Sequence, residues 1–396
     1  MDRKVYLDNA ATTRLSDAVY QKMQPYLTEN FGNPSSIYDL GADNKSVLLQ
    51  ARRQIAGTLF CEPQNIYYTS GGTEADNWAL VGVAEQNRNR GKHIITTKIE
   101  HHAVLNTCEY LHSRGFDITY LEVDEQGFVK TEQIRNALRP DTILVSVMAA
   151  NNEIGTIEPI REIGEIVKKH TAYFHTDAVQ AYGHMTIPVK EWHIDLLSAS
   201  AHKFHGPKGI GFLYVGDGVQ ISPYMHGGHQ ERGLRAGTEN VPAIVGMAEA
   251  AQIAYQNLTE EQRKVTQLRD YMIRRMESEI TYCRRNGPKK NRLSNNVNFS
   301  FQFVDGETLV ILLDMEGVCA SAGSACTAGQ AVASHVIRSL HVPDDLARGT
   351  VRFTLSNDTT KEDIDYTIEA IKRVLDKNRK LNPRYQAFIQ QNKLYL

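Results

Sequence analysis

Asp195-Leu196-Leu197-Ser198-Ala199 runs directly into Ser200-Ala201-His202-Lys203-Phe204-His205-Gly206-Pro207-Lys208-Gly209. The first five residues read as a buried strand, and the glycine- and proline-bearing stretch after them as a short loop at its end. Open parallel sheets bind ligands at the carboxyl ends of their strands, so this junction sets Lys203 on a binding edge. A primary amine there, beside the hydroxyl of Ser200 and the imidazole of His202, can form a Schiff base with an aldehyde while its neighbours hold a phosphate. Most lysines are solvated surface charges; the surroundings of this one argue otherwise.

Upstream, Thr171-Ala172-Tyr173-Phe174 looks like another short strand and ends in His175-Thr176-Asp177-Ala178-Val179-Gln180. A carboxylate at that strand end can pair with the protonated ring nitrogen of pyridoxal phosphate, whose positive ring is an electron sink. Gln180 is placed to donate to the ring's phenolate oxygen. The plainer reading of Asp177 is a cap on a helix starting near Ala178.

The same edge gathers further polar groups. Thr69-Ser70-Gly71-Gly72-Thr73-Glu74-Ala75-Asp76-Asn77 follows a candidate strand and opens a helix with Ala75, Trp78, Ala79 and Val83 on its apolar face. Two glycines there let backbone N–H groups approach a phosphate at the positive helix end; an ordinary strand-to-helix turn is the alternative. In Lys98-Ile99-Glu100-His101-His102-Ala103 a histidine is placed to lie against a pyridine ring and move a proton, or else to sit at a surface helix start. Asn151-Asn152-Glu153-Ile154-Gly155 offers amides to a cofactor oxygen and a substrate carboxylate, or forms a simple turn.

The 396 residues, 41% apolar and 23% charged with a formal charge of -2, fit a globular protein able to bury a large core. That balance gives no reason to expect direct nucleic-acid binding, so a small metabolite is the expected ligand. No stretch approaches the roughly 18 apolar residues of a membrane helix, and Met1 to Asp8 lacks an apolar signal segment, so a cytoplasmic protein is expected. The cysteines (Cys61, Cys108, Cys283, Cys319, Cys326) are widely spaced with no Cys-x-x-Cys pair, which indicates neither a disulfide framework nor a metal site.

From about residue 45 to 255, apolar runs alternate with helical patterns, as a largely parallel sheet covered on both faces requires. Candidate strands are 65–69, 93–97, 143–148, 172–176, 195–198 and 209–215. Thr259 with Gln262 then reads as a capping box opening a long helix. A strand (297–303), a helix (307–315), a strand (351–355) and a helix (361–375, opened by Thr360 and Asp363) follow as a smaller α+β unit. The tail from Lys380 carries Tyr385, Phe388, Ile389, Leu394 and Tyr395 without a clean period, and is expected to pack on the body. Cys326, in Ala320-Ser321-Ala322-Gly323-Ser324-Ala325-Cys326-Thr327-Ala328-Gly329, has no bulky neighbours to bury it, so a mobile loop carrying a reactive thiol is expected.

Together Asp8-Asn9-Ala10-Ala11-Thr12-Thr13, Gly32-Asn33-Pro34-Ser35-Ser36, Ser70-Gly71-Gly72-Thr73-Glu74, Glu100-His101, Asn151 to Gly155, Asp177 to Gln180, Ser200 to Lys203, Arg235-Ala236-Gly237-Thr238-Glu239-Asn240 and Gly323-Ser324-Ala325-Cys326-Thr327 closely resemble the cysteine desulfurases. These are pyridoxal-phosphate enzymes of aminotransferase class V and fold type I, and the similarity runs from about residue 4 to 375. The resemblance implies an α/β fold with a mostly parallel seven-stranded sheet and a smaller α+β domain. Residues 15–257 are then expected to form the large cofactor-binding domain, and 1–14 with 258–396 a small domain carrying the cysteine loop.

It also implies roles. Lys203 becomes the Schiff-base lysine, His101 stacks on the ring, and Asp177 and Gln180 bind its nitrogen and phenolate oxygen. Gly72, Thr73, Ser200 and His202 hold the phosphate, with Thr238 arriving from the second subunit of a homodimer. Arg352 takes the substrate carboxylate with Asn152 beside it, and Cys326 is the nucleophile. L-cysteine would leave as L-alanine, its sulfur passing through a persulfide on Cys326 to an acceptor protein for iron–sulfur cluster or tRNA thiolation chemistry. A selenocysteine lyase, another fold type I enzyme such as an aminotransferase, and a non-catalytic sulfur carrier are the alternatives. Tyr38, His229 and the segment after Thr327 depart from the family pattern, which touches loop behaviour and acceptor choice.

Overall fold

The computed structural model describes residues 3–327 and 330–393. Seven strands form the central sheet: β1 (Ile66–Thr69), β2 (His93–Thr97), β3 (Asp117–Leu121), β4 (Thr142–Ser146), β5 (Tyr173–Asp177), β6 (Leu196–Ser200) and β7 (Gly211–Val215). Their spatial order is β1-β7-β6-β5-β4-β2-β3, and only β7 runs against its neighbours. Both faces are covered, so the inner strands are apolar or fully buried along their whole length. In β7, Phe212 and Tyr214 enter one core with Phe174, Tyr182 and Phe204. Leu213 and Val215 enter the other with Trp78, Val83, Leu144 and Leu196, as the two-residue period of a strand dictates.

The six candidate strands are present with ends shifted by at most two residues; β3 was not among them. It is an edge strand with its first residue exposed and only Leu121 buried, so it lacks the apolar run that marked the others.

Helix α1 (Asp39–Leu59) packs on the sheet, α2 (Gly72–Gln86) and α3 (His102–Ser113) follow β1 and β2, and α4 (Val241–Gln256) closes this half of the chain. The long helix α5 (Leu258–Glu279) begins two residues earlier than a cap at Thr259 would place it. Thr259 does not cap it: Asn257 stands at the cap position without a side-chain cap bond, and Gln262 donates to the His184 carbonyl instead. A distant backbone acceptor thus displaced the local capping box.

A second, antiparallel sheet holds β8 (Cys283–Arg285), β9 (Asn296–Phe301), β10 (Ser321–Ala322) and β13 (Thr350–Thr354) in the order β10-β13-β9-β8. With α5, α6 (Gly306–Met315) and α7 (Lys361–Leu381) it buries a third core, which Val5 and Leu7 join. Thr360 and Asp363 make the expected reciprocal cap on α7. The tail does pack: α8 (Pro383–Lys393) sets Tyr385 and Phe388 against Tyr282 and Phe303, while Leu394 and Tyr395 lie outside the described residues.

The backbone from Ser324 to Thr327 (β11) pairs antiparallel with Gln330–Ala333 (β12), Cys326 opposite Ala331. A hairpin therefore stands where the lack of bulky residues suggested an unpaired loop. Small side chains remove the apolar signal of a strand but leave the backbone free to pair. The side chain of Cys326 is outside the described residues.

Candidate active site

The carboxyl ends of β5 and β6 and the segments after β1, β2 and β4 converge on a cleft of about 260 Å³. Its walls include Gly72, Thr73, His101, Asn152, Asp177, Gln180, Ser200, His202 and Lys203, all expected from sequence, together with Asp76, Met148, Ala150 and Val179. At Gly72 a Cβ would come within 2.5 Å of Val179 Cγ2, so only glycine lets the start of α2 approach this wall.

Lys203 sits in the short turn after β6, its Nζ donating to the carbonyls of Ala10 (2.6 Å) and Ala11 (2.9 Å). Desolvation, then the nearby Arg352 charge, lowers its pKa to about 8. Gln180 Nε2 donates to the same Ala10 carbonyl at 3.0 Å. Residues 8–13 thus cross the cleft over the lysine, a placement fixed by pairing with β13 and invisible to local pattern.

Asp177 is buried, with Oδ1 accepting from the Val179 N–H at 2.8 Å. Burial raises its pKa, and His101 and Lys203 pull it back. Behind it, Asp76 is almost fully buried with no hydrogen-bond partner on Oδ1. Burial first, then the charge of Asp177, lifts the Asp76 pKa well above the usual range. Its 3.7 Å approach to His175 Nε2 is no ion pair, because burial drives His175 down to about 3 and keeps it neutral.

His101 caps α3, accepting the Ala103 N–H on Nδ1 at 3.1 Å, so its neutral ring carries the proton on Nε2. It is open to the cleft yet surrounded by enough protein that desolvation, foremost, lowers its pKa. Beside it Glu100 is buried, accepts from Thr97 Oγ1 (2.7 Å) and the Met148 N–H (3.0 Å), and is pushed up to about 8 by burial. The loop carrying His101 is thereby tied to the segment after β4. His202 pairs its Nδ1 with Thr12 Oγ1 at 3.1 Å and is lowered to about 4, chiefly by desolvation.

Arg352 on β13 lies next to, not in, the cleft wall. Its Nη1 donates to the Asn152 carbonyl (3.0 Å) and its Nη2 to Asp8 Oδ1 (2.9 Å), while Nε is buried with no partner. Thr238 is exposed and does not line this cleft. Arg235, in the same segment, grips Glu74 at the start of α2 with two bonds of 2.8 and 3.1 Å. Cys61, Cys108 and Cys283 have thiols raised by burial to about 11 or 12, as packing residues should.

Sequence reasoning missed Ala10, Ala11, Asp76, Glu100 and His175 as parts of the site. Asp76 and Glu100 stood inside quoted motifs, and their signal was a carboxylate one turn from, or beside, a predicted ligand.

Residues 5–367 match the family Aminotransferase class-V. The chain is 51% identical, over 98% of both chains, to the cysteine desulfurase IscS of Dictyoglomus turgidum. Its fold matches a NifS-like protein with a TM-score of 0.90 at 40% identity, over 94% of this chain and 100% of the other. It likewise matches SspA, solved in complex with cysteine, with a TM-score of 0.79 at 35% identity, over 90% and 100%. Likeness at that identity and coverage makes this chain a member of the class-V aminotransferase family, among its cysteine desulfurases.

Proposed function

We propose that this pyridoxal-phosphate-dependent cysteine desulfurase works with Lys203 as the amine that holds the cofactor and Cys326 as the thiol that takes sulfur from L-cysteine. The observation that carries the reading is one cleft joining a lysine lowered to about 8, a buried Asp177 and a helix start that tolerates only glycine.

The donor set fits the cofactor. Among the described residues Asp177 forms no ion pair, and a buried carboxylate needs a cation, which a protonated pyridine nitrogen is. Thr73, Ser200, His202 and the N–H groups at the start of α2 would hold the phosphate, Gln180 the phenolate oxygen, and His101 the ring face. When bound, the cofactor supplies an electron sink for charge at the substrate α carbon.

The chain's own residues do the rest. Arg352 has a spare buried Nε for the substrate carboxylate, with Asn152 beside it. Lys203 Nζ, titrating near working pH, takes and returns the α proton. Residues 8–13 keep bulk water from that amine. The Cys326 thiolate attacks the substrate sulfur: the S–S bond forms, the C–S bond breaks, and a proton replaces sulfur on carbon. L-cysteine and a thiol thus become L-alanine and a persulfide, with atoms and electrons balanced.

The separate core containing Val5 and Leu7 supports a large domain at 15–257 and a small one from 1–14 and 258–396. Exposed Leu27, Phe31 and Ile37 support a homodimer, in which Thr238 of one copy reaches the phosphate of the other. The persulfide passes to an acceptor protein, an iron–sulfur scaffold or a tRNA-thiolating enzyme. Among the described residues no helix is long and apolar enough to cross a membrane, which accords with work in the cytoplasm. The test is Cys326→Ser: the protein should retain cofactor absorbance and form no persulfide by mass spectrometry, and persulfide at the wild-type rate would refute the assignment.

A further inference from the structure

We propose that Glu153 is a positioning residue that registers the Cys326 hairpin against Arg352, a role that rests on the parts assigned above to those two residues. Glu153 follows Asn152 in the turn after β4. Its backbone is fixed from two sides: its N–H donates to Asn151 Oδ1 (2.9 Å), and its carbonyl accepts from Nδ2 of Asn296 and of Asn298 on β9 (3.0 Å each).

Its side chain reaches the hairpin. Oε1 accepts the hydroxyl of Ser334 at 2.7 Å, and the Ser334 N–H donates to the Gly323 carbonyl at 2.7 Å. Ser334 and Gly323 are the two feet of the hairpin, and the Gly323 N–H is held by Thr350 on the arginine strand at 3.0 Å. Glu153 Oε2 is buried without a hydrogen-bond partner, and a Cβ on Gly323 would stand 3.8 Å from it. Arg352 Nη1 donates to the carbonyl of Asn152, the residue before Glu153, at 3.0 Å; burial raises the Glu153 pKa, and the Ser334 hydrogen bond and then the Arg352 charge oppose that rise.

The approach to the hairpin from β10 repeats the device. Asp8 Oδ1 accepts both the Ser321 hydroxyl (2.8 Å) and Arg352 Nη2 (2.9 Å). Both approaches to the hairpin therefore hang from a carboxyl tied to Arg352, Asp8 directly and Glu153 through the carbonyl of its neighbour Asn152. Burying such groups is costly, and neither acid holds cofactor in the reading above. What they share is a short path from the arginine that fixes the substrate to the segment that carries the thiol.

In-line attack on sulfur depends on that path, since a displacement of about 1 Å costs on the order of a hundredfold in rate. The experiment compares holoenzymes carrying Glu153→Ala, Glu153→Gln and Ser334→Ala. L-cysteine binding is read from the change in cofactor absorbance, and single-turnover persulfide formation from alkylation and mass spectrometry. Glu153→Ala and Ser334→Ala should slow persulfide formation by roughly ten- to a hundredfold, with half-saturation by L-cysteine moving less than about twofold. Glu153→Gln, which keeps an oxygen for Ser334, should restore most of the rate. Wild-type persulfide formation in Glu153→Ala, a parallel fall in binding and rate, or a glutamine variant as slow as alanine would each overturn the proposal. Should Glu153→Ala not fold, Ser334→Ala decides by the same two readings. Persulfide in Cys326→Ser would instead sink the underlying assignment and leave the Glu153 comparison unaffected.

Discussion

The cofactor cleft and the Cys326 hairpin solve opposite problems. The cleft is assembled from strand ends that two packed cores hold in place, and its chemistry comes from burial: a lysine lowered to about 8, a histidine lowered to about 4, an acid raised to about 8. The hairpin is set at its feet by hydrogen bonds from Ser321 and Ser334 to Asp8 and Glu153, both linked to Arg352. Electronic tuning needs dry, rigid surroundings, whereas in the proposed function the hairpin has to bring a thiol to the bound substrate.

The sharpest way to break this comparison is to disable each region separately. Lys203→Ala should abolish covalent cofactor attachment and lower turnover by roughly 10²–10⁴-fold, whereas Cys326→Ser should leave the cofactor spectrum intact; absorbance spectra and alanine release report both. If Cys326→Ser also lost the cofactor, the two regions would not be separable.

The next effect is on pH. Only the neutral amine captures the cofactor, so covalent capture of pyridoxal phosphate by the apo protein should fall about tenfold per unit below a midpoint near 8 and level off above it. Because desolvation and then Arg352 set that value, Arg352→Met should move the midpoint upward in a stopped-flow pH series.

Stability provides the smaller tests. Arg52 and Glu231 form a buried pair of 2.6 and 2.9 Å bonds beside β1, where Glu231 also receives the Tyr68 N–H. Glu231→Gln leaves the guanidinium uncompensated and should cost about 3–5 kcal/mol in urea unfolding. Gly72→Ala drives a Cβ to within 2.5 Å of Val179 Cγ2 and should cost about 1–3 kcal/mol, with weaker cofactor affinity measured by dialysis. An unchanged affinity would detach α2 from phosphate binding.

What could be read in the sequence follows the same division. The inner strands announced themselves because burial on both faces demands unbroken apolar runs, and the polar groups after them pointed to one edge. Edge strand β3, with Asp117 exposed, offered no such run. Nor could local pattern show that Ala10 and Ala11 cap Lys203, or that Gln262 serves His184 rather than its own helix. Those contacts join residues far apart in the chain, and their partners are chosen by the finished fold. The hairpin pairing of Ser324–Thr327 was hidden because small residues do not signal a strand, while Glu153 was quoted in a motif that gave no hint of Ser334.

The segment over Lys203 has a consequence for synthesis. Val5 and Tyr6 pair with Val318 and Cys319, and Asn9 reaches the Thr354 carbonyl, 345 positions away. While the chain is being made, the lysine pocket can be complete before its cover has anything to bind. Closing it waits for contacts between residues more than 300 positions apart, which form late, so the vitamin has an open door until the last strand of the small sheet leaves the ribosome.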